Sequence, residues 1–177
     1  MPSLVMTVLA EDRPGLVDAL SSLVKEHGGN WLESRMSRLG GRFAGILRVE
    51  IPEAKQPAFR KEVEKLRSQG WTLVIDSDRP TLTDVDSKEM TLEIIGQDRP
   101  GIVREISHAL ASQGVNIEDL QTETLSAPMT GDLLFQARIT IRIPKKCSTK
   151  QLQETLEQIA ADLMVDLSFG AREARTS

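Results

Sequence analysis

Asp12-Arg13-Pro14-Gly15 decides how this chain is organised, because the same four residues return as Asp98-Arg99-Pro100-Gly101, a shift of 86 positions. Two further pairs match at the same shift: Gly28 with Gly114, and Asn30 with Asn116. Ile51-Pro52 matches Ile143-Pro144 at a shift of 92, so the second copy has six extra residues between these anchors. Self-similarity at a fixed spacing is the sequence signature of a repeated structural unit.

The repeat divides the 177 residues into two domains of ordinary size. We predict a first domain over residues 1–77, a linker over 78–87, a second domain over 88–170 and a flexible tail over 171–177. The linker prediction rests on a polar stretch around Pro80.

Each copy begins with a short apolar strand, predicted over Leu4–Ala10 and Met90–Gly96, followed by an amphipathic helix. The prolines of the repeated tetrapeptide, Pro14 and Pro100, are predicted to lie in the first helical turn, where a missing N–H costs nothing. If these prolines lie in the first helical turn, Gly15 and Gly101 should have helical dihedral angles. The glycines that follow the helices, Gly28 and Gly114, are predicted to be left-handed.

A hairpin, a second helix and a closing strand complete each copy. The hairpin turns at Gly40-Gly41 in the first copy, and the extra residues lie around 127–132 in the second. The second helices begin near Pro57 and at Ser148, where Gln151 forms a possible capping box. The closing strands cover 72–76 and 164–169. The order β-α-β-β-α-β predicts an α+β chain of two ferredoxin-like domains, each an antiparallel four-stranded sheet with both helices on one face.

Composition excludes several classes of protein. The net charge is −4 and aromatic residues make up 3% of the chain, which disfavours phosphate-binding and base-stacking surfaces for nucleic acids. One cysteine, Cys147, cannot form an internal disulfide, and the only histidines, His27 and His108, give little material for a metal site. No apolar run is long enough to span a membrane, and no signal peptide is recognisable, so we expect a cytoplasmic protein.

The repeated loop is the best candidate for chemistry. Unpaired N–H groups and the helix dipole favour an anion at a helix start, and Gly15 or Gly101 lets a ligand approach the backbone. Asp12 or Asp98 could accept hydrogen bonds from an ammonium group, and Asn30 or Asn116 offers a donor and an acceptor. Such groups fit a free amino acid. The alternative is purely structural, since Asp-x-Pro-Gly is also a good turn and helix start.

Other polar residues have simpler interpretations. We expect Arg13 and Arg99 to be solvated, His27 and His108 to be structural, and Cys147 to be inert. No Ser/His/Asp or Cys/His set and no phosphate loop is recognisable, so we expect no catalysis, no cofactor and no metal.

The repeated Asp-Arg-Pro-Gly loop, the Gly-Val-Asn at 114–116 and the element order resemble ACT domains, which are amino-acid-sensing modules. The tandem arrangement and the hairpin at 128–135 are similar to those of the glycine cleavage system transcriptional repressor group. The resemblance implies a glycine-responsive repressor that acts through a separate DNA-binding activator, with the ligand held where ACT units pack together. It assigns ligand binding to the following residues: Asp12, Arg13, Pro14, Gly15, Asn30, Asp98, Arg99, Pro100, Gly101 and Asn116.

Two departures favour the second copy as the ligand site: the first has Gly29 where the second has Val115, and its hairpin is shorter. The main competing hypothesis is the regulatory part of an enzyme, since similar ACT segments precede catalytic domains in formyltetrahydrofolate deformylases and some phosphoserine phosphatases. The repeats leave no room here for a catalytic domain. A ligand-free assembly module is a further alternative. Half-covered sheets with open edges predict pairing of ACT units, with a homodimer expected.

Overall fold

The computed structural model describes residues 3–79 and 86–171, and the chain divides into two compact units, unit 1 (Met1–Thr81) and unit 2 (Leu82–Ser177). Unit 1 contains β1 (Ser3–Glu11), α1 (Leu16–Glu26), β2 (Asn30–Leu39), β3 (Arg42–Glu50), a 3-10 turn (Glu53–Lys55), α2 (Gln56–Ser68) and β4 (Thr72–Ser77). Unit 2 contains β5 (Lys88–Gln97), α3 (Ile102–Ser112), β6 (Asn116–Ser126), β7 (Leu133–Ile143), α4 (Thr149–Leu163) and β8 (Val165–Ala171).

Both units are four-stranded antiparallel sheets with the same topology. The strand order is β2-β3-β1-β4 in unit 1 and β6-β7-β5-β8 in unit 2, so the first strand of each copy is central and the hairpin forms one edge. The predicted α+β class and ferredoxin-like arrangement are therefore confirmed.

The helices cover one face of each sheet. On β1 the alternate residues Leu4, Met6, Val8 and Ala10 are buried against both helices of unit 1, while the residues between them are more exposed. On β7 the same alternation buries five residues: Phe135, Ala137, Ile139, Ile141 and Ile143. Each unit thus has its own aliphatic core and one sheet face without helices, which we call its open face.

The helix starts differ from prediction. Helix α1 begins at Leu16 and α3 at Ile102, so Pro14 and Pro100 precede the helices instead of lying in their first turns. The N-cap residues are Gly15, with φ of 93°, and Gly101, with φ of 97°. The prediction of helical dihedral angles at Gly15 and Gly101 is therefore wrong. Both positions use a left-handed backbone that glycine adopts without steric cost.

Other local predictions hold. Gly28 and Gly114 have φ of 67° and 70°, and the β2–β3 turn has φ of 56° at Gly40 and 74° at Gly41. The side-chain oxygen of Ser148 accepts a hydrogen bond from the Gln151 backbone N–H at the start of α4.

Packing explains why the first copy has glycine where the second has valine. A Cβ atom at Gly29 would lie 2.4 Å from Ile51 Cδ1 and 2.6 Å from the Glu50 carbonyl oxygen. In unit 2 the corresponding Val115 is buried in the core. A valine at position 29 would therefore collide with the neighbouring strand of unit 1, whereas unit 2 has room for one at position 115.

The chain boundaries are only partly described. Strand β8 extends to Ala171, one residue into the predicted tail, and begins after Met164, which is left-handed with φ of 54°. The rest of the predicted tail, 172–177, and most of the predicted linker, 80–85, lie outside the described residues. The linker and tail therefore stay predictions.

Candidate functional site

The repeated loops leave two helix starts without a side-chain cap. Neither Gly15 nor Gly101 has a side chain, and no side chain caps α1 or α3, whereas Ser148 caps α4. The first intrahelical bonds run from Ala19 N–H to the Gly15 oxygen and from Glu105 N–H to the Gly101 oxygen, both 2.9 Å long. The N–H groups of the first turn, before Ala19 and Glu105, have no partner within the helix. Such groups are the ones that bind anions at helix starts.

Each loop is fixed against the hairpin of its own unit. The Asp12 N–H donates to the Gly41 carbonyl oxygen at 3.0 Å, and the Asp98 N–H donates to the Leu133 oxygen at 2.8 Å. The sequence predicted that Gly41 and Leu133 belong to hairpins, but it did not predict their contacts with the loops. The topology supplies the signal, because the end of the central strand and the hairpin turn lie at the same end of the sheet.

The aspartates of the two loops have different surroundings. In unit 1, Arg38 Nη1 lies 3.4 Å from Asp12 Oδ2, and the Asp12 side chain is 28% exposed. In unit 1, Arg38 lies opposite Phe43 on the neighbouring strand. The matched position in unit 2 is Thr124, which lies opposite Phe135. The second loop therefore has no arginine at this position to compete for Asp98. The Asp12 carboxylate thus contacts a hairpin side chain that is 26 residues away in sequence.

The asparagines lie at the other end of each sheet. Asn116 lies opposite Arg142 on β7, and Arg142 in turn lies opposite Glu89 near the start of β5. Asp98 instead follows the end of β5. Eight residues of strand separate these levels, about 27 Å at roughly 3.4 Å per residue. Asn30 has the same position in unit 1, at the level of Ser3. Within one unit the structure does not bring the loop and the asparagine together.

Asn116 belongs to a polar cluster on the open face of unit 2. Its amide donates to Glu118 Oε1 at 2.5 Å, and Arg142 lies between Glu118, at 3.5 Å, and Glu89, at 3.3 Å. Arg142 also donates to Ser87 at 3.3 Å. The Asn116 side chain is thus oriented by charged neighbours that the sequence analysis did not identify, because their proximity depends on strand register.

A shallow groove lies beside Asn116, between α3 and the edge strand β6. It has a volume of about 530 Å³ and is lined by Arg104, Ser107, His108, Ala111, Val115, Asn116 and Ile117. Residues 98–101 are not among its lining residues. His108 is exposed here, whereas His27 packs edge-on against Phe59 with ring centroids 5.6 Å apart.

The remaining candidates are unremarkable in their contacts. Arg13 is exposed as expected, but Arg99 is half-buried. The half-buried Cys147 thiol lies 3.6 Å from Gln113 Oε1. Within residues 3–79 and 86–171, no three His, Cys, Asp or Glu side chains are placed to hold a metal ion. None of the described helices combines the length and apolar character needed to cross a membrane.

Two family models described as ACT domain match the chain, one over residues 3–75 and the other over residues 86–161. A UPF0237 protein of Methanopyrus kandleri is 34% identical over 43% of this chain and 83% of its own length. A formyltetrahydrofolate deformylase of Bacillus subtilis is 31% identical over 90% of this chain, which spans only 54% of that enzyme. The glycine cleavage system transcriptional repressor of Escherichia coli is 22% identical over 90% of this chain and 85% of its own length.

Solved structures match the entire architecture. An unknown protein from Galdieria sulphuraria has a TM-score of 0.83 and 28% identity, covering 97% of this chain and 99% of its own. A protein described as a glycine cleavage system transcriptional repressor has a TM-score of 0.69 and 20% identity, covering 98% of both chains. At that identity the second likeness shows the fold alone.

Proposed function

Since the chain belongs to the ACT domain family, with one ACT domain in each half, we propose that it is a non-catalytic regulatory protein that binds a small amino acid. The observation that carries this proposal is a pair of matched helix starts, each with a left-handed glycine at the N-cap, no side-chain cap and an aspartate three residues before the glycine. The backbone N–H groups suit the carboxylate of an amino acid, and the aspartate suits its ammonium group.

Glycine is the first ligand to test. The chain resembles, over nearly all its length, a repressor whose name connects it with glycine cleavage. In this proposal the protein responds to glycine in the cytoplasm and acts through a separate DNA-binding activator, without contacting nucleic acid itself. Its net charge of −4 agrees with the absence of a duplex-binding role.

Unit 2 is the preferred ligand site. Arg38 lies beside Asp12 in unit 1, so a ligand ammonium group would have to compete with a guanidinium there. At the matched position unit 2 has the uncharged Thr124, which leaves the Asp98 carboxylate to the ligand. The longer hairpin of unit 2 also adds polar and apolar surface next to this loop.

The asparagines act at a different place from the loop of their own unit. About 27 Å is several times the length of a glycine molecule, so one ligand cannot touch Asp98 and Asn116 of the same unit. We therefore propose that the asparagine which completes a ligand site belongs to a second copy of the chain.

A thermal-shift screen across the twenty amino acids tests the proposal. A ligand that binds only the native state stabilises it by RT ln(1 + [L]/Kd), about 2.7 kcal/mol at a hundredfold excess over Kd. We expect glycine, or another small amino acid, to raise the melting temperature, and larger side chains to have no effect.

Titration calorimetry of matched variants then tests the site. Asp98→Asn keeps the side-chain shape and removes the charge, so binding should weaken by about 1.5–3 kcal/mol, the usual contribution of a charged hydrogen bond. Asn116→Ala should weaken it by about 1–3 kcal/mol. Asp12→Asn is the matched control and should change the affinity little. If all three variants bind like the wild type, the ligand site lies elsewhere; if no amino acid binds, the proposal fails.

The second candidate is a regulatory chain associated with a one-carbon enzyme, favoured by the deformylase relative. A change in the hydrolysis rate of a formyltetrahydrofolate deformylase when the purified chain is added would support that candidate. Hydrolysis by the chain alone would contradict the non-catalytic proposal, and we expect none, because residues 86–171 form a second ACT unit.

A further inference from the structure

We propose that the open face of unit 1 is the surface through which two copies of this chain form a dimer. This inference does not rest on ligand binding, and its test contains no ligand. It rests on a comparison that the repeat makes possible, because the two units have the same sheet topology and very different residues at matched positions of their open faces.

The central row of the open face shows the difference most clearly. In unit 1 it consists of Val74, Thr7 and Ile46 on three adjacent strands, and Ile46 and Val74 are 51% and 43% exposed. In unit 2 the same row is polar: Ser168, Glu93 and Arg138. The Arg138 side chain donates to Glu93 Oε1 at 2.6 and 3.0 Å.

The neighbouring rows continue the pattern. Unit 1 adds Val5, Leu9 and Ala44 to the apolar surface. In unit 2 the residue matched to Val5 is Thr91, and the residue matched to Ala44 is Gln136. The apolar residues of this face are Ile95, between Gln136 and Asp166, and the cross-strand pair Leu125 and Leu134 near the hairpin. The open face of unit 2 is thus polar at its centre, whereas the same fold in unit 1 exposes an aliphatic patch there, which marks an interaction surface.

The rim of the patch favours a second copy as the partner. Charged residues of both signs surround the apolar residues on this face: Arg35, Arg42 and Arg48 together with Glu11, Glu33, Glu50 and Asp76. Since both signs are present, arginines of one copy can meet carboxylates of the other when the face meets itself around a two-fold axis. A self-complementary patch of this kind is what closed dimers use.

The size of the face is sufficient. The four strands have nine, ten, nine and six residues, and at about 3.4 Å per residue and about 4.8 Å between strands they give a flat footprint of about 550 Å² per copy. Two copies would bury about 1,100 Å², close to the lower limit for specific interfaces. A dimer with a micromolar dissociation constant is the form we expect.

The test transplants the unit 2 row into unit 1. The double variant Thr7→Glu/Ile46→Arg recreates a cross-strand pair that this fold already contains as Glu93 and Arg138, so it should fold. By size-exclusion chromatography with light scattering, the wild type should have twice the 19.6 kDa chain mass. The double variant should have the mass of one chain, with the dissociation constant raised at least a hundredfold.

Two further variants make the result decisive. Ile95→Arg, on the open face of unit 2, is the matched control and should remain dimeric. Val74→Ser introduces the residue that unit 2 has at the matched position, Ser168, and should raise the dissociation constant of the dimer about tenfold. This single variant provides the test if circular dichroism shows that the double variant is unfolded. A monomeric wild type, a double variant that stays dimeric, or dissociation caused equally by Ile95→Arg would overturn the proposal.

Discussion

At the level of single residues, Gly101 shows that space alone does not decide which side chain a position accepts. A Cβ atom built there meets nothing within 4 Å, yet φ is 97°. Most L-amino acids avoid this region because Cβ crowds their own backbone. The repeated glycine is therefore explained first by backbone geometry, before any ligand is considered.

Gly101→Val should destabilise the protein by about 1–3 kcal/mol, the usual cost of a left-handed backbone at a residue other than glycine. Gly101→Asn should cost less, since asparagine occupies this region more readily. Urea denaturation measures both.

Gly170→Val is the matched control for this prediction. Gly170 also has open space around its Cβ position, but it lies in strand β8 without a positive φ, and valine suits strands. If Gly101→Val and Gly170→Val are equally stable, strain at Gly101 is not the reason for the glycine.

At the level of elements, the helices start in different ways. The Ser148 side chain caps one N–H of α4, whereas α1, α2 and α3 have no side-chain cap. At α1 and α3 the N-cap is a left-handed glycine, where serine or threonine would be strained, so the first-turn N–H groups lack a side-chain acceptor. Two uncapped starts at repeated positions are consistent with a ligand or partner that completes them.

Ser148→Ala should lower the free energy of unfolding by about 1 kcal/mol, because the Gln151 N–H loses its acceptor. Ser168→Ala, on an exposed strand position, is the control and should change stability by less than about 0.5 kcal/mol. Thermal unfolding of both variants checks the difference; equal melting temperatures would show that the cap contributes nothing.

The sequence predicted these elements well because their signals are local. The alternation along 135–143 and the Gly40-Gly41 turn each depend on a few neighbouring residues. The conformation of Gly15, the Arg38–Asp12 pair and the separation of Asp98 from Asn116 were not predicted. The last two features depend on how strands are paired over long distances, and a single sequence does not specify that register. The Gly15 conformation is local, and it was missed because Pro14 was placed inside the helix that begins at Leu16.

At the level of the whole molecule, the two ACT units share a fold and differ in surface. Unit 1 has the apolar open face and an aspartate paired with Arg38, while unit 2 has the charged open face and an aspartate without that arginine. We propose that this is a division of labour, with unit 1 serving assembly and unit 2 serving ligand binding. Duplicated domains that kept identical roles would not need opposite surfaces at matched positions.

A titration of the ¹⁵N-labelled protein with glycine, followed by backbone amide chemical shifts, tests the central proposal most directly. We predict saturable shifts that are largest for the amides of residues 101–104, where the uncapped N–H groups of α3 would meet the carboxylate, and smaller for residues 15–18. Addition of acetate, which lacks the ammonium group, should give weaker binding at the same amides. Saturable shifts confined to other parts of the chain, or none with any small amino acid, would contradict the account.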